Sequence, residues 1–365
     1  MAGSAAHDIE PSAIRRRLRA WYRRHARDLP WRRRRDAYAI WLSEIMLQQT
    51  QVATVIPYFA TFLQEFPEVA DLARAERSTV LRLWAGLGYY RRAHQLHAAA
   101  QHVVREYGGE FPKTVEGLLT LPGVGRYTAG AIASIAFDCR APILDGNVKR
   151  VLARLTASPA SPDDPREIRR LWSLAEALLP RRGSGDFNQA LMDLGATVCT
   201  PRDPDCARCP LARDCAAHLS GRTAEIPRPK ARARVQPLKL TCFVVTAGDR
   251  VLLTERAAGG LWAGTQALPA GESVNGNGLR SVARELLPVA VLRRIRSWQP
   301  AGEVRHRLTH RDVTVEVHAA AIARVRVPAP YRWSGDGDHR VLPTVFRKVL
   351  RLEHFREFSG ETSPK

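Results

Sequence analysis

The stretch from Leu118 to Ala136, LLTLPGVGRYTAGAIASIA, constrains this chain more than any other. Apolar residues run up to Leu121, Pro122-Gly123-Val124-Gly125 makes a turn, and an alanine-rich run begins a second helix. Two helices joined this tightly pack as a hairpin, with the turn's backbone exposed at the junction. The glycines let that backbone approach a phosphate, and the second helix offers free N–H groups and the positive end of its dipole. Gly123, Val124 and Gly125 are therefore candidate phosphate contacts. A G-x-G alone says little, but L-P-G-V-G between two helices says much more in a chain with 56 Lys and Arg against 36 Asp and Glu. The net charge of +20 makes a polyanion the natural partner, and nucleic acid the first choice.

The stretch Trp41–Val52, WLSEIMLQQTQV, carries one carboxylate, Glu44, among apolar and neutral residues. Helical spacing puts Trp41, Ile45 and Val52 near one face with Leu42, Met46 and Gln49 beside it. A carboxyl buried there would hold a proton near neutral pH and could act as a general acid. A glutamate turned to solvent fits the stretch equally well. Upstream, 11 arginines and one acid, Asp28, lie between Ile14 and Arg35, on a helix whose apolar residues are Ile14, Leu18, Trp21 and Tyr22. A phosphate-facing surface suits that density better than a merely solvated face. Gly86-Leu87-Gly88-Tyr89-Tyr90-Arg91-Arg92 is either a loop whose tip enters a DNA stack or a glycine-terminated helix with core tyrosines. Asp145 in Pro142–Val151, PILDGNVKRV, precedes a helix and reads as its N-cap, a role compatible with chemistry at the same carboxylate.

Cys199, Cys206, Cys209 and Cys215 give C-x6-C-x2-C-x5-C within 17 residues. Zinc is one reading, but zinc knuckles usually pair two C-x-x-C units, and this compact, uneven set favours an iron–sulfur cluster. Cys139 and Cys242 stand apart as plain core thiols. Residues 220–240 are a Pro-rich basic linker, after which strand-like alternation begins at Thr241–Val245 and Val251–Thr254. A strand at Asp312–Ile322 and a helix at Leu342–Phe355 complete a small α+β domain. No run of 18 or more apolar residues exists, and the N-terminus lacks a secretory apolar core, so an intracellular, cytoplasmic protein is expected.

Taken together, the Glu44 stretch, the hairpin, Leu144-Asp145-Gly146-Asn147-Val148-Lys149-Arg150 and the four cysteines resemble adenine DNA glycosylases of the MutY type, within the endonuclease III-like helix-hairpin-helix superfamily. The likeness is close over residues 12–220 and looser beyond. It implies a mostly α N-terminal region, two helical modules with an iron–sulfur cluster, followed by a C-terminal α+β Nudix-like domain. The domains expected are a disordered 1–10, a catalytic domain 11–219 with its cluster module at about 199–215, a linker 220–240, a recognition domain 241–355 and a disordered tail 356–365. The resemblance also implies a [4Fe-4S] cofactor and a partner, double-stranded DNA with A:8-oxoG or A:G mispairs, bound by a monomer without any membrane. The Nudix-like domain lacks the acidic hydrolase signature: Arg284-Glu285-Leu286-Leu287 runs into Pro288. It is expected to recognise 8-oxoguanine rather than hydrolyse nucleotides.

The implied chemistry is hydrolysis of an N-glycosidic bond in base excision repair, after the adenine has been flipped out. Glu44 protonates the base, at N7, and Asp145 stays ionised to stabilise the oxocarbenium-like sugar or attack it. Asn147 and Tyr127 hold the carboxylates and the nucleotide. By the resemblance Trp31, Arg32 and Asp193 line the adenine pocket, while Gln49, Thr50, Leu87 and Tyr89 insert at or contact the opposite base. Bifunctional lyases of the superfamily carry a lysine where Tyr127 stands, so a monofunctional glycosylase is expected, with Lys149 a phosphate or structural lysine. The family's 8-oxoguanine loop commonly reads Phe-Ser-His; here it is Leu308-Thr309-His310, which keeps the hydroxyl and imidazole but not the aromatic. Endonuclease III-like lyases and mismatch thymine glycosylases are the rival readings.

Overall fold

The computed structural model describes residues 10–228, 235–257, 259–272, 278–353 and 355. The expected disorder at 1–10 and 356–365 falls, Glu10 apart, outside the described residues. Contacts divide the chain into two compact units, one of residues 1–75 and 95–231, the other of 76–94 and 232–365. Residues 76–94, inside the expected catalytic domain 11–219, group by contacts with the C-terminal residues. Within the second unit Arg77 pairs with Glu255 at 3.2 Å and His94 Nε2 lies 3.0 Å from the Ala263 carbonyl.

The first unit is helical. Its elements are α1 (Pro11–His25), α2 (Ala37–Leu47), α3 (Val52–Glu65) and α4 (Val69–Arg74). After α5 (Arg77–Trp84), which lies in the second unit, come α6 (Arg91–Tyr107), α7 (Val115–Leu119), α8 (Arg126–Phe137), α9 (Gly146–Leu155), α10 (Pro165–Leu178), α11 (Ser184–Thr197) and α12 (Ala216–Leu219). Asp36 caps α2 by accepting the Ala39 N–H at 3.0 Å, and every residue from Tyr38 to Met46 is buried. A helix apolar on all sides is a core helix, so its one carboxylate goes inside with it. Between α7 and α8 the backbone turns through Gly123 at φ +77°, which L side chains rarely adopt. No side chain caps the first turn of α8, so its N–H groups stay open at Gly125.

The arginines of α1 and the segment after it divide between internal partners and the surface. Arg15 donates to the Ala177 and Leu178 carbonyls at 2.7 and 2.9 Å and Arg17 pairs with Asp214. Arg27 and Arg32 pair with Asp193, Arg33 with Asp28, Arg34 with Asp36 and Arg35 with Asp186. Arg16, Arg23 and Arg24 are exposed, and so are Arg33, Arg34 and Arg35 despite their carboxylate partners. The expected phosphate-facing arginine surface is thus narrower than the count of eleven: internal carbonyls and carboxylates claim Arg15, Arg17, Arg27 and Arg32.

In the second unit β1 (Gln236–Ala247), β2 (Arg250–Glu255), β3 (Gln266–Ala267) and β4 (Ala270–Glu272) precede α13 (Leu279–Leu286) and α14 (Val289–Leu292). Then come β5 (Gln299–Arg307), β6 (Arg311–Ala321), β7 (Tyr331–Trp333) and α15 (Thr344–Leu350). The strand β1 starts inside the span read as linker. The sheet runs β3-β2-β1-β6-β5, with β1 and β6 parallel from Gln236↔Arg311 to Thr246↔Ala321. Side chains alternate across β1: Leu238, Leu240, Cys242 and Val244 join one core with Val345 and Phe346 of α15. Phe243, Val245 and Ala247 join the other with Val282 and Ala283 of α13 and with Leu287 just after it. Both faces are covered, as a sheet with a parallel centre requires. No helix among the described residues is long and apolar enough to cross a membrane.

Candidate active site

A cavity of about 510 Å³ opens in the helical unit, lined by Trp31, Arg32, Ser43, Glu44, Gln49, Thr50, Tyr127, Asp145, Asn147, Gln189 and Met192 among others. Glu44 reaches it from the middle of α2 and is only 6% exposed. Burial pushes its carboxyl up, and the Asp145 charge pushes it further; the Tyr127 hydroxyl, donating to Oε2 at 2.6 Å, and Arg32 oppose them. The balance lifts Glu44 to about 7. The solvent-facing alternative is thereby excluded: this is a protonatable acid in a cavity wall.

Asp145 is the N-cap of α9, accepting the Val148 N–H at 2.7 Å and the Asn147 amide at 3.0 Å. Burial raises its carboxyl too, against those two donors and Arg150. The expected contrast between a buried acid and an ionised carboxylate in a polar setting is therefore narrower than the sequence implies. Both carboxyls are raised, and each raises the other's cost of ionising. Asn147 is held in turn by Arg150, whose Nη2 donates to Asn147 Oδ1 at 2.8 Å and to the Gly195 carbonyl at 2.7 Å. Arg150 Nε donates to the Cys199 carbonyl at 2.7 Å, so one guanidinium joins the Asp145 cap to the cysteine segment.

Trp31 lines the cavity and packs edge-on against Phe59 at 5.4 Å. Asp193 does not line it. It is fully buried, taking Arg32 at 2.7 and 2.9 Å and Arg27 at 2.7 and 3.1 Å. Burial works to raise its carboxyl, but the two arginines outweigh this and hold it below the usual carboxylate range. The expected pocket residue is instead the anchor that aims Arg32. Gln189 and Met192, on α11 with Asp193, are cavity residues that sequence reasoning missed; Met192 Sδ lies 3.5 Å from the Tyr127 hydroxyl. Gln49 follows α2 in the left-handed region at φ +59° and is exposed, with Thr50 beside it half-buried. Lys149 is half-buried on α9 and is not a cavity residue.

Cys199, Cys206, Cys209 and Cys215 line one small hollow together with Arg154. Arg154 Nη1 donates to Cys199 Sγ at 3.3 Å, and Cys215 Sγ donates to the Arg154 carbonyl at 3.4 Å. Among the described residues no three His, Cys, Asp or Glu side chains converge as ligands of a single ion. Cys242 is fully buried as expected, whereas Cys139 is half-buried, donating to the Lys113 carbonyl at 3.2 Å, and is not a core thiol. In the second unit Leu87 is buried at 5% exposure while Tyr89 is 44% exposed, so Tyr89 rather than Leu87 forms the loop's accessible tip. The Tyr89 hydroxyl meets Thr309 Oγ1 at 2.5 Å. Thr309 and His310 are exposed in the β5–β6 turn, and Leu308 is half-buried against the sheet core.

A helical unit with a hairpin turn and a carboxylate-lined cavity, joined to a mixed-sheet domain, defines a class: helix-hairpin-helix base excision glycosylases with a Nudix-like domain. Residues 42–177 match the family described as HhH-GPD superfamily base excision DNA repair protein, and residues 241–352 match the NUDIX domain. The rat adenine DNA glycosylase is 38% identical over 408 residues, covering 94% of this chain and 79% of its own. The human adenine DNA glycosylase is 38% identical over 412 residues, covering 94% and 74%. That of Mycolicibacterium smegmatis is 43% identical over 220 residues, covering 60% and 73%. Among solved structures, a thermostable thymine-DNA glycosylase is 32% identical at TM-score 0.53, over 57% of this chain and 97% of its own. An endonuclease III in a non-covalent DNA complex shares the helical fold at TM-score 0.50 and 21% identity, over 59% and 99%. The chain belongs to the adenine DNA glycosylase family.

Proposed function

We propose that this protein is a monofunctional adenine DNA glycosylase that removes adenine opposite 8-oxoguanine or guanine. The observation that carries the reading is Glu44: a carboxyl raised to about 7 by burial, hydrogen-bonded to Tyr127 and sharing its cavity with Asp145. Adenine is a poor leaving group until protonated, and Glu44 supplies the proton, at N7. As the C1′–N9 bond breaks, its electron pair leaves with the base. The positive charge on the sugar falls to Asp145, which stabilises it or bonds to C1′ before water completes hydrolysis. Tyr127 and Asn147 hold the two carboxyls, and Trp31 and Arg32, the latter aimed by Asp193, receive the flipped adenine. With tyrosine at position 127 no hairpin amine is available for a Schiff base, which supports hydrolysis without strand cleavage.

The turn backbone at Gly123, Val124 and Gly125, with the uncapped first turn of α8 and Lys149, is assigned to backbone phosphates of the duplex. Gln49, Thr50, Leu87 and Tyr89 are assigned to the opposite base, and Leu308, Thr309 and His310 to reading its oxidised edge. Four thiols around one hollow, with a guanidinium on one sulfur, suit a [4Fe-4S] cluster better than one zinc ion; Cys199, Cys206, Cys209 and Cys215 would hold it. When bound, the cluster supplies cross-links within the segment that Arg150 and Arg154 grip. The protein is taken to act as a cytoplasmic monomer on double-stranded DNA.

The test is excision from duplexes carrying A:8-oxoG, A:G, T:G and thymine glycol, with and without alkali. The reading expects adenine release from the first two and strand breaks only after alkali. Faster cutting of T:G would favour a thymine glycosylase, and strand breaks without alkali would favour a lyase.

A further inference from the structure

We propose that Arg92 is a positioning residue for recognition of the base opposite the excised adenine, because it holds the loop that carries Tyr89 from beneath. The inference rests on the assignment of Tyr89 to that base.

Arg92 lies in the first turn of α6 and is only 6% exposed. Its guanidinium carbon lies 5.2 Å from the Trp84 ring centroid and 5.4 Å from that of Tyr89, within range of both ring faces. Nη2 donates to the Leu87 carbonyl at 3.1 Å and the Gly88 carbonyl at 3.3 Å, and Trp84 Nε1 donates to the same Gly88 carbonyl at 3.0 Å. The Arg92 backbone N–H donates to the Tyr89 carbonyl at 2.8 Å. Tyr89 itself stands at φ +46°, a left-handed conformation that persists only where surrounding contacts enforce it. Its hydroxyl reaches Thr309 Oγ1 at 2.5 Å.

These contacts share one logic. A loop that only had to be stable could fill this space with an apolar side chain at lower desolvation cost. The guanidinium instead grips two consecutive carbonyls and lies against both rings, which fixes one loop conformation and the height of the Tyr89 ring. Burial lowers Arg92 to about 10, so it stays charged at neutral pH. Arg92 need not touch DNA; it acts through Tyr89 and, by way of the tyrosine hydroxyl, on Thr309.

The full chain, its Arg92→Met, Arg92→Lys and Tyr89→Ala variants, and the Arg92→Met/Tyr89→Ala double variant are compared in single-turnover excision and duplex binding on A:8-oxoG and A:G. Arg92→Met is expected to lower the preference for 8-oxoguanine over guanine roughly tenfold, the size of one lost base-discriminating contact. Arg92→Lys, which keeps the charge but not the fork, should fall between it and the parent. The double variant should be no worse than Tyr89→Ala, because the two residues form one network. Loss of preference in Tyr89→Ala with parental preference in Arg92→Met would overturn the role of Arg92. Parental preference in Tyr89→Ala would instead overturn the underlying assignment of Tyr89. Should Arg92→Met prove insoluble, Arg92→Lys carries the test: a preference equal to the parent's refutes the proposal.

Discussion

The Tyr127 hydroxyl donates to Glu44 Oε2 at 2.6 Å, and this bond holds down a carboxyl that burial has raised to about 7. Glu44 works only while protonated and Asp145 only while ionised, so excision should fall as pH rises through about 7 and fall again at low pH as Asp145 takes up a proton. Tyr127→Phe removes a contact that favours the ionised form, so the basic limb of the pH–rate profile should move to higher pH. A limb that stays put or moves down would show that Glu44 is not the titrating acid. Glu44→Gln should slow excision by ~100- to 10,000-fold, the usual share of general acid catalysis, with duplex binding retained.

The same shift has a consequence for stability. Glu44 ionises at about 7 in the folded chain against an ordinary 4.5. Its contribution to stability is therefore fully present below about 4.5 and is lost as pH rises through about 7. Glu44→Gln has no such titration. Melting temperatures compared at pH 5 and pH 8 should show the variant gaining on the parent at the higher pH; a constant difference would contradict the linkage.

Asp145 does two jobs that substitution can separate. Asparagine caps helices about as well as aspartate, so Asp145→Asn should keep the fold while cutting excision roughly 100- to 1,000-fold through loss of charge. Asp145→Ala should lose that activity and, in addition, about 1 kcal/mol of stability from the cap. Equal melting temperatures for the two variants would mean that the Val148 hydrogen bond is worth little.

The two carboxylates were legible in the sequence because each sits in a local signal. Glu44 interrupts an apolar run, and Asp145 stands directly before a helix. The hairpin was legible for the same reason, its turn residues being dictated by the backbone they must form. Asp193 was placed in the right region but given the wrong contact, since its partners Arg27 and Arg32 lie more than 150 residues away and no periodicity encodes such a pairing. The arginines between Ile14 and Arg35 were only partly legible: charge density shows in a sequence, but the internal carbonyls and carboxylates that claim Arg15, Arg17, Arg27 and Arg32 do not. The strand β5 escaped notice because Pro300 and Gly302 break its alternation at a register shift. Residues 76–94 could not be assigned to the second unit from sequence, because a helical pattern does not say what its apolar face will meet.

Gly195 makes room for the site from behind. A Cβ built there would lie 2.6 Å from Asn147 Cβ and 3.0 Å from the Asn147 carbonyl oxygen. Asn147 cannot give way without moving the Asp145 that it holds. Gly195→Ala is expected to lower the excision rate roughly 100-fold, the effect of misplacing a reacting group by about an ångström, while binding falls little. Parental kinetics would mean that α9 and α11 separate without disturbing the cap.

The cysteine hollow makes a prediction that needs no activity. Purified protein should be yellow-brown, with about four iron and four sulfide per chain. Replacing any of the four cysteines should lower folded yield, because Arg150 and Arg154 tie that segment to α9 and, through Asn147, to Asp145. Colourless protein with one zinc per chain would rule out the cluster.

The β5–β6 turn carries the last prediction. Leu308 is half-buried against the sheet core, where the family's loop commonly has an aromatic, while Thr309 and His310 remain exposed. The Leu308 N–H bonds the Arg311 carbonyl at 2.8 Å, so the turn is closed and presents Thr309 at its tip. 8-Oxoguanine differs from guanine by an N7–H donor in place of an acceptor and by one added oxygen. A hydroxyl can answer that change by accepting, and Tyr89, 2.5 Å away, can donate to the hydroxyl and orient its lone pairs. Thr309→Ala should therefore lower preference for A:8-oxoG over A:G ~10-fold, as expected for one hydrogen bond in base discrimination, with A:G excision unchanged. Thr309→Ser keeps the hydroxyl and should keep the preference; His310→Ala should reproduce part of the loss. If Thr309→Ala discriminates like the parent, the oxidised base is read elsewhere, and Gln49 and Thr50 in the helical unit become the residues to test.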